Sequence, residues 1–257
     1  MNLKYLLGKM LSSSSQGILL SDLMPTTNSF FRGLNHLYDL RCLLNKDASL
    51  TIFDIGANIG QTTISLNYAF PNSQIFAFEP IKSTYDTLIK KTAKIDRFRG
   101  FNYALGAHSG QKKVWLSSNS LINTLVSADD TGRDDRCESE ISIPSEVVQI
   151  DTLDSFCKTH QLGSIDLLKV DVEGYEMEVM KGAKNHLSQN LIKLIYSEVS
   201  FIEGDKSHQY FCELHEFLLA YGFRLYGLYE VGRTNLNGNG CISYCNALFV
   251  SSHYSFE

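Results

Sequence analysis

From residue 50 onward, short apolar runs alternate with longer stretches of helical character, and this pattern constrains the chain more than any other feature. LTIFDIG (50–56) leads into a helical stretch to Phe70, SQIFAFEP (73–80) into another from Ser83 to about Ile95, and RGFNYALG (99–106) is a third run. Strands and helices alternating at these lengths predict a parallel sheet with right-handed crossovers and helices on both faces. The alternation returns after residue 150. Asp151, with Asp154 three residues on, predicts the N-cap and acidic first turn of a helix to about His160. SIDLLKVD (164–171), a helix over 174–187, LIKLIYSEV (191–199) and a helix around 210–220 follow. The last two runs, FRLYGLY (223–229) and YCNALFVS (244–251), have no helix between them, which predicts an antiparallel pair at the sheet edge.

Two segments depart from the pattern. Residues 107–150 hold two β-like runs, KKVWLS (112–117) and SEVVQI (145–150), around a polar segment, and read as an insertion forming a hairpin or lid. Residues 1–48 show helical patches separated by Ser, Gly and Pro25, and read as a helical appendage capping one face of the domain over 49–257. A membrane-surface or partner helix is the other reading of that appendage.

Composition removes several function classes. Lys and Arg total 23 against 28 Asp and Glu, a net charge of −5, which disfavours affinity built on neutralising many phosphates and so predicts no nucleic-acid partner. Much of that charge sits in DDTGRDDRCESE (129–140), read as a solvated loop. The six cysteines (Cys42, Cys137, Cys157, Cys212, Cys241, Cys245) show no Cys-x-x-Cys pair, and so predict reduced thiols in a cytoplasmic protein. No apolar run approaches the roughly 18 residues of a membrane span. A cytoplasmic location is therefore expected, with peripheral contact to the inner face of the membrane left open through the N-terminal helices.

Four signals carry chemistry, and all fall at the carboxyl ends of expected strands, where open α/β sheets bind ligands. In DIGANIG (54–60) a glycine-bearing turn joins a strand to a helix, but Asn58 replaces the middle glycine of the dinucleotide fingerprint and no phosphate-loop ending follows. Such a turn suits a ligand with an ammonium and a carboxylate, Asp54 meeting the cation and the helix N-terminus the anion. Glu79 ends the next strand, where an acid accepts both hydroxyls of a ribose. In KVDVEGYE (169–176), strand alternation sends Lys169 and Asp171 to one side, Gly174 permits a sharp turn into the helix, and Glu176 suits the helix dipole. Glu198 ends the neighbouring strand, about 4.8 Å away, so Asp171 and Glu198 are expected to share a pocket, a proton or a divalent ion. His208 and His215, seven apart, are read as solvated or core-edge residues on one helix face.

Taken together, FDIGANIGQ (53–61), FAFEP (76–80), NYALG (102–106), IDTLD (150–154), DLLKVDVEG (166–174), MKGA (180–183) and the strand ending in Glu198 resemble the FkbM family of S-adenosylmethionine-dependent methyltransferases over about residues 50–250. The resemblance implies a class I, Rossmann-like, seven-stranded and mostly parallel sheet, and O-methylation of hydroxyls on sugars, glycans or secondary metabolites. It gives Asp54, Gly56, Asn58 and Gly60 the methionine end of the cofactor and Glu79 its ribose. Residues 102–105, Asn102 included, would border the adenine. Asp171 and Glu173 fall near the transferred methyl group. On this reading Asp171 takes or orients the hydroxyl proton, while Lys169, or a divalent ion such as Mg held by Asp171, Glu173 and Glu198, stabilises the developing charge. Two alternatives stay open: an NAD-dependent sugar-modifying enzyme, and a nucleoside-binding module without turnover. Neither the acceptor nor the oligomeric state follows from the sequence.

Overall fold

The computed structural model describes residues 32–115, 145–234 and 240–255. Its main sheet contains β1 (Thr51–Ile55), β2 (Gln74–Phe78), β3 (Phe98–Phe101), β7 (Ile165–Val170), β8 (Ile192–Ser200), β9 (Phe223–Thr234) and β10 (Cys241–Ser251) in the order β3-β2-β1-β7-β8-β10-β9. Strand order reverses between β1 and β7, so the crevice at the carboxyl ends of these two strands is where a doubly wound sheet binds its ligand. All pairings from β3 to β8 are parallel, and β10 runs antiparallel to both β8 and β9. The antiparallel pair expected at the edge is therefore present, with the reversed strand on its inner side.

All six residues of β7 are buried, the charged Asp166 and Lys169 included, because both faces of a central parallel strand are covered. On one face Phe53, Phe76, Phe78 and Phe101 pack against Phe156 with ring centroids 4.9 to 5.8 Å apart, in mostly edge-to-face geometry. Phe156 comes from helix α4 (Leu153–Thr159). The other face carries helix α1 (His36–Leu43), whose Leu37 and Leu40 join Ile52, Leu167, Leu194 and Leu248 in a second core. Residues 1–31 of the expected appendage lie outside the described residues, and so do residues 116–144, including the acidic 129–140 segment.

Three local expectations change. The run at 99–106 divides into β3 and β4 (Ala104–Leu105), because the Asn102 amide donates to the carbonyls of Glu79 (3.0 Å) and Pro80 (2.9 Å) and turns the chain out of the main sheet. β4 then joins β5 (Gly110–Trp115) and β6 (Ser145–Asp151) in a small sheet of order β4-β6-β5, with β5 and β6 antiparallel. The cap of α4 is Thr152, whose hydroxyl accepts from Ser155 N at 3.0 Å, rather than Asp151, which accepts from Ser109 Oγ and Thr152 N. The helix expected over 174–187 breaks into α5 (Glu176–Lys181) and α6 (Lys184–Ser188). At the break, a Cβ on Gly182 would stand 2.0 Å from the Gly106 carbonyl oxygen. The Asp154 carboxylate accepts the amides of Asn185 (2.8 Å) and His186 (3.1 Å), starting α6 anew.

The remaining helices, α2 (Gln61–Ala69), α3 (Lys82–Thr92) and α7 (Phe211–Ala220), complete the two layers. Among the described residues no helix is long and apolar enough to cross a membrane. Asp39 on α1 is fully buried, and its Oδ2 accepts from the Tyr229 hydroxyl of β9 and from Gly33 N, both at 2.7 Å. A buried carboxylate is costly without such donors. Tyr229→Phe is therefore expected to lower stability by about 1–3 kcal/mol. In urea unfolding this appears as a lower midpoint at unchanged m value.

Candidate active site

The site begins with the turn after β1. Gly56 has φ +74°, and a Cβ there would lie 1.8 Å from the backbone oxygen of Asp171, so the turn needs glycine both for its conformation and for the strand end passing over it. The Gly56 and Ala57 amides both donate to the Phe78 carbonyl at 3.0 Å, and Asp171 N donates to the Ile55 carbonyl at 3.1 Å, locking the ends of β1, β2 and β7 together. Asn58 takes φ +49°, and its own Oδ1 accepts from Ile59 N at 2.7 Å. Gly60, at φ +92°, begins α2 and packs against Leu88 and Thr92 of α3.

Glu79 ties the first two loops. Its Oε2 accepts from Asn58 N (3.1 Å) and its Oε1 from Ile81 N (2.9 Å), with the side chain nearly buried. Burial pushes its carboxyl up to about 7, against the opposing effect of these two amides.

Asp54 turns into the protein interior. It is fully buried, accepts from the Thr63 hydroxyl of α2 at 2.6 Å, and pairs with Lys169 Nζ at 2.9 Å. It does not reach the cavity, because its neighbour in parallel register is Lys169 itself. Lys169 Nζ also donates to the Gly56 carbonyl at 2.9 Å and stands 3.6 Å from Asp171 Oδ2. Burial acts to lower the lysine's affinity for its proton, but Asp54 and Asp171 outweigh it and hold the ammonium above its ordinary range. Lys169 is thus an internal cation serving both acids.

A cavity of about 310 Å³ opens over these loops. Gly56, Asn58, Glu79, the first-turn residues Gln61 and Thr62 of α2, Lys169, Asp171, Glu173 and Glu198 are among the residues that line it. Gly60 and Asn102 shape it without lining it: Gly60 starts α2, and the Asn102 amide is spent on the two carbonyls that position Glu79 and Pro80.

The chain turns sharply after Asp171, with Glu173 at φ +55° and Gly174 at φ +92°. Glu176 is fully buried and accepts from Val172 N at 2.9 Å, so it shapes this turn as well as opening α5. Burial, together with the neighbouring acids, raises Glu173 to about 7 and Glu198 to about 9. His208 completes the corner. It precedes α7 instead of lying on a shared helix face with His215, and its Nε2 stands 3.5 Å from Glu198 Oε2. Among the described residues, Glu173, Glu198 and His208 bring three ligand atoms within 4.8 Å of one another. Asp171, expected to belong to that set, stands 3.6 Å from Lys169 Nζ, and its side chain also meets that of Glu198. No spacing rule finds His208; the one available hint is that it falls before the helical run starting near residue 210.

Two outcomes follow. Gly56→Ala should cost at least about 3 kcal/mol, measured as the denaturation midpoint, because a left-handed position and a backbone overlap coincide. Glu198 binds a proton in the fold that the unfolded chain releases near 4.5, so in metal-free buffer stability should fall as pH rises from about 4.5 to 9. Glu198→Gln should flatten that slope and raise Tm at pH 8 by several degrees, since 1 kcal/mol is worth about 2–4 °C in a domain of this size.

Comparison with known proteins identifies the family of this domain. The model of the methyltransferase FkbM domain matches residues 54–225. Curated relatives include the methyltransferase sdnD of Sordaria araneosa, 29% identical over 58% of this chain and 64% of its own length. The 2-O-methyltransferase NoeI of Sinorhizobium fredii is 28% identical over 58% of this chain and 63% of its own length. The hexuronic acid methyltransferase AglP of Haloferax volcanii is 29% identical over 53% of this chain and 51% of its own length. The chain thus spans between half and two thirds of these relatives. A crystal structure of methyltransferase FkbM from Methylobacillus flagellatus superposes with a TM-score of 0.53 at 16% identity, covering 96% of this chain and 57% of that one. With the family model covering well over half of its length, from the end of β1 into β9, the chain belongs to the methyltransferase FkbM domain family.

Proposed function

We propose that this protein is an S-adenosylmethionine-dependent O-methyltransferase whose acceptor is a hydroxyl of a sugar, glycan or secondary metabolite. The observation that carries the reading is a single cavity lined both by Glu79 and the glycine turn and by the Asp171, Glu173 and Glu198 carboxyls. Two relatives bear names specifying 2-O-methylation and hexuronic acid as their chemistry, which favours a sugar-type acceptor.

The residues present fit the cofactor. Glu79 offers its remaining carboxylate lone pairs to the ribose hydroxyls, since each oxygen is engaged by one backbone amide. The first amides of α2 lack intrahelical partners and favour the amino-acid carboxylate. Asp54 is spent on Lys169 and Thr63, so the amino-acid ammonium would have to be met by backbone carbonyls of the turn or by the Asp171 side. When bound, the cofactor supplies a methyl carbon activated by its sulfonium. The chain's own task is to orient the acceptor hydroxyl and remove its proton. Asp171 suits that task, 37% exposed at its side chain and 3.6 Å from the buried Lys169 ammonium. Glu198, with its raised affinity for a proton, is a poor base near neutral pH and a better hydrogen-bond donor.

Calorimetric titration of the full chain with S-adenosylmethionine, and separately with NAD, tests this. Saturable binding of the first alone is expected, weakened about 10- to 100-fold in Glu79→Ala, the range for losing a hydrogen bond to a charged group. Asp171→Asn should keep that affinity within a few-fold while turnover on an accepted sugar falls about 10²- to 10⁴-fold. Absence of S-adenosylmethionine binding by the folded protein would reject the assignment, and full turnover in Asp171→Asn would reject the base.

A further inference from the structure

We propose that Glu173, Glu198 and His208 form a binding site for a divalent first-row metal ion of the Mn²⁺ type, beside the cavity that Glu173 and Glu198 line. Its role toward the acceptor rests on the methyltransferase reading, but the site itself stands on geometry. Three protein ligand atoms from three different segments, the turn after β7, the end of β8 and the loop before α7, lie within 4.8 Å of one another. Bonds of about 2.1 Å place neighbouring ligand atoms about 3 to 3.4 Å apart and opposite ones about 4.2 Å apart. The separation of 3.5 Å between His208 Nε2 and Glu198 Oε2 is therefore close to that of adjacent ligands on one ion.

A second observation is independent of those three atoms. The His208 ring is already fixed from behind. Its Nδ1 lies 3.0 Å from Asp205 Oδ2, and Asp205 Oδ1 is itself held by Ser207 N at 2.9 Å. The ring stacks flat on Tyr244, with centroids 5.2 Å apart and planes 3° from parallel. A carboxylate behind one ring nitrogen sets the tautomer that leaves the other free to ligate, and this arrangement accompanies metal-bound histidines. A solvated histidine at a loop needs neither the carboxylate nor the stacked ring. The remainder of the corner is rich in negative charge, with the fully buried Glu176 and the partly exposed Asp171 acting on Glu198 from the adjoining turn.

One imidazole with two carboxylates favours Mn²⁺ and its neighbours over Mg²⁺, which prefers oxygen ligands alone. Three protein ligands leave open positions, and Glu173 and Glu198 both face the cavity. An acceptor hydroxyl, or a hydroxyl beside a carboxylate on a sugar, can occupy those positions. There the ion acidifies the hydroxyl while Asp171 stands nearby to receive its proton.

The test is Mn²⁺ titration of the EDTA-treated full chain without S-adenosylmethionine, followed by electron paramagnetic resonance. One saturable site is expected, with a nitrogen coupling from the imidazole. His208→Ala should remove the coupling and weaken binding at least 10-fold, and Glu198→Gln should weaken it comparably. Asp205→Asn, which touches no ligand position, should weaken it about 10-fold, as loss of an outer-shell partner does. It also serves if circular dichroism shows either other variant unfolded. Glu79→Ala should bind Mn²⁺ as the native chain does. Mn²⁺ affinity unchanged in His208→Ala, or binding without nitrogen coupling, would overturn the site. Mn²⁺ binding in a protein that ignores S-adenosylmethionine would uphold the site and overturn the methyltransferase reading; the reverse result would overturn the site alone.

Discussion

The structure depends on one buried ion pair. Asp54 on β1 and Lys169 on β7 are direct neighbours in a parallel register, and both are almost wholly removed from water. Charges so placed persist only when every partner is in position, because each loses several kcal/mol of hydration. Here the partners are parts of the site itself. The Thr63 hydroxyl brings α2, the Gly56 carbonyl brings the glycine turn, and Asp171 brings the end of β7. Satisfying this one ion pair thus fixes three segments that line the cavity.

The second constraint is backbone conformation. Asn58 and Glu173 hold left-handed angles that ordinary residues adopt at a cost, and each sits in one of the two loops facing the cavity. Asn58 is compensated by its own side chain capping Ile59 N and by Glu79 taking its amide. Glu173 is held between Asp171 and Gly174 in a turn that the buried Glu176 accepts from inside. These contacts aim Asp171, Glu173 and Glu198 into one volume, and their mutual repulsion is what raises the proton affinities of Glu173 and Glu198 beyond the effect of burial alone.

Much of this was legible from residue order. Glycine spacing located the turn after β1, an acid at the end of IFAFE located Glu79, and alternation along KVD placed Lys169 and Asp171 together. The expectations that changed are those in which a distant group competes for a local one. Asp54 reads as a cation receptor until Lys169 is seen beside it. Asn102 gives no sign in the sequence that its amide holds the preceding loop. His208 reads as a helix-face histidine until the helix is seen to begin after it and Asp205, Glu198 and Tyr244 are seen around it.

The sequence by itself determined the doubly wound sheet, the edge at which ligands bind and the family, because apolar period, turn residues and strand-end acids are local properties that survive without knowledge of contacts. Only the tertiary structure decided which charges neutralise one another and which remain for chemistry. Pairing between Asp54 and Lys169 spans more than a hundred residues, and the meeting of Glu173, Glu198 and His208 depends on how three segments converge. Electrostatic interaction depends on distance and solvent exclusion, and neither quantity exists until the chain is folded.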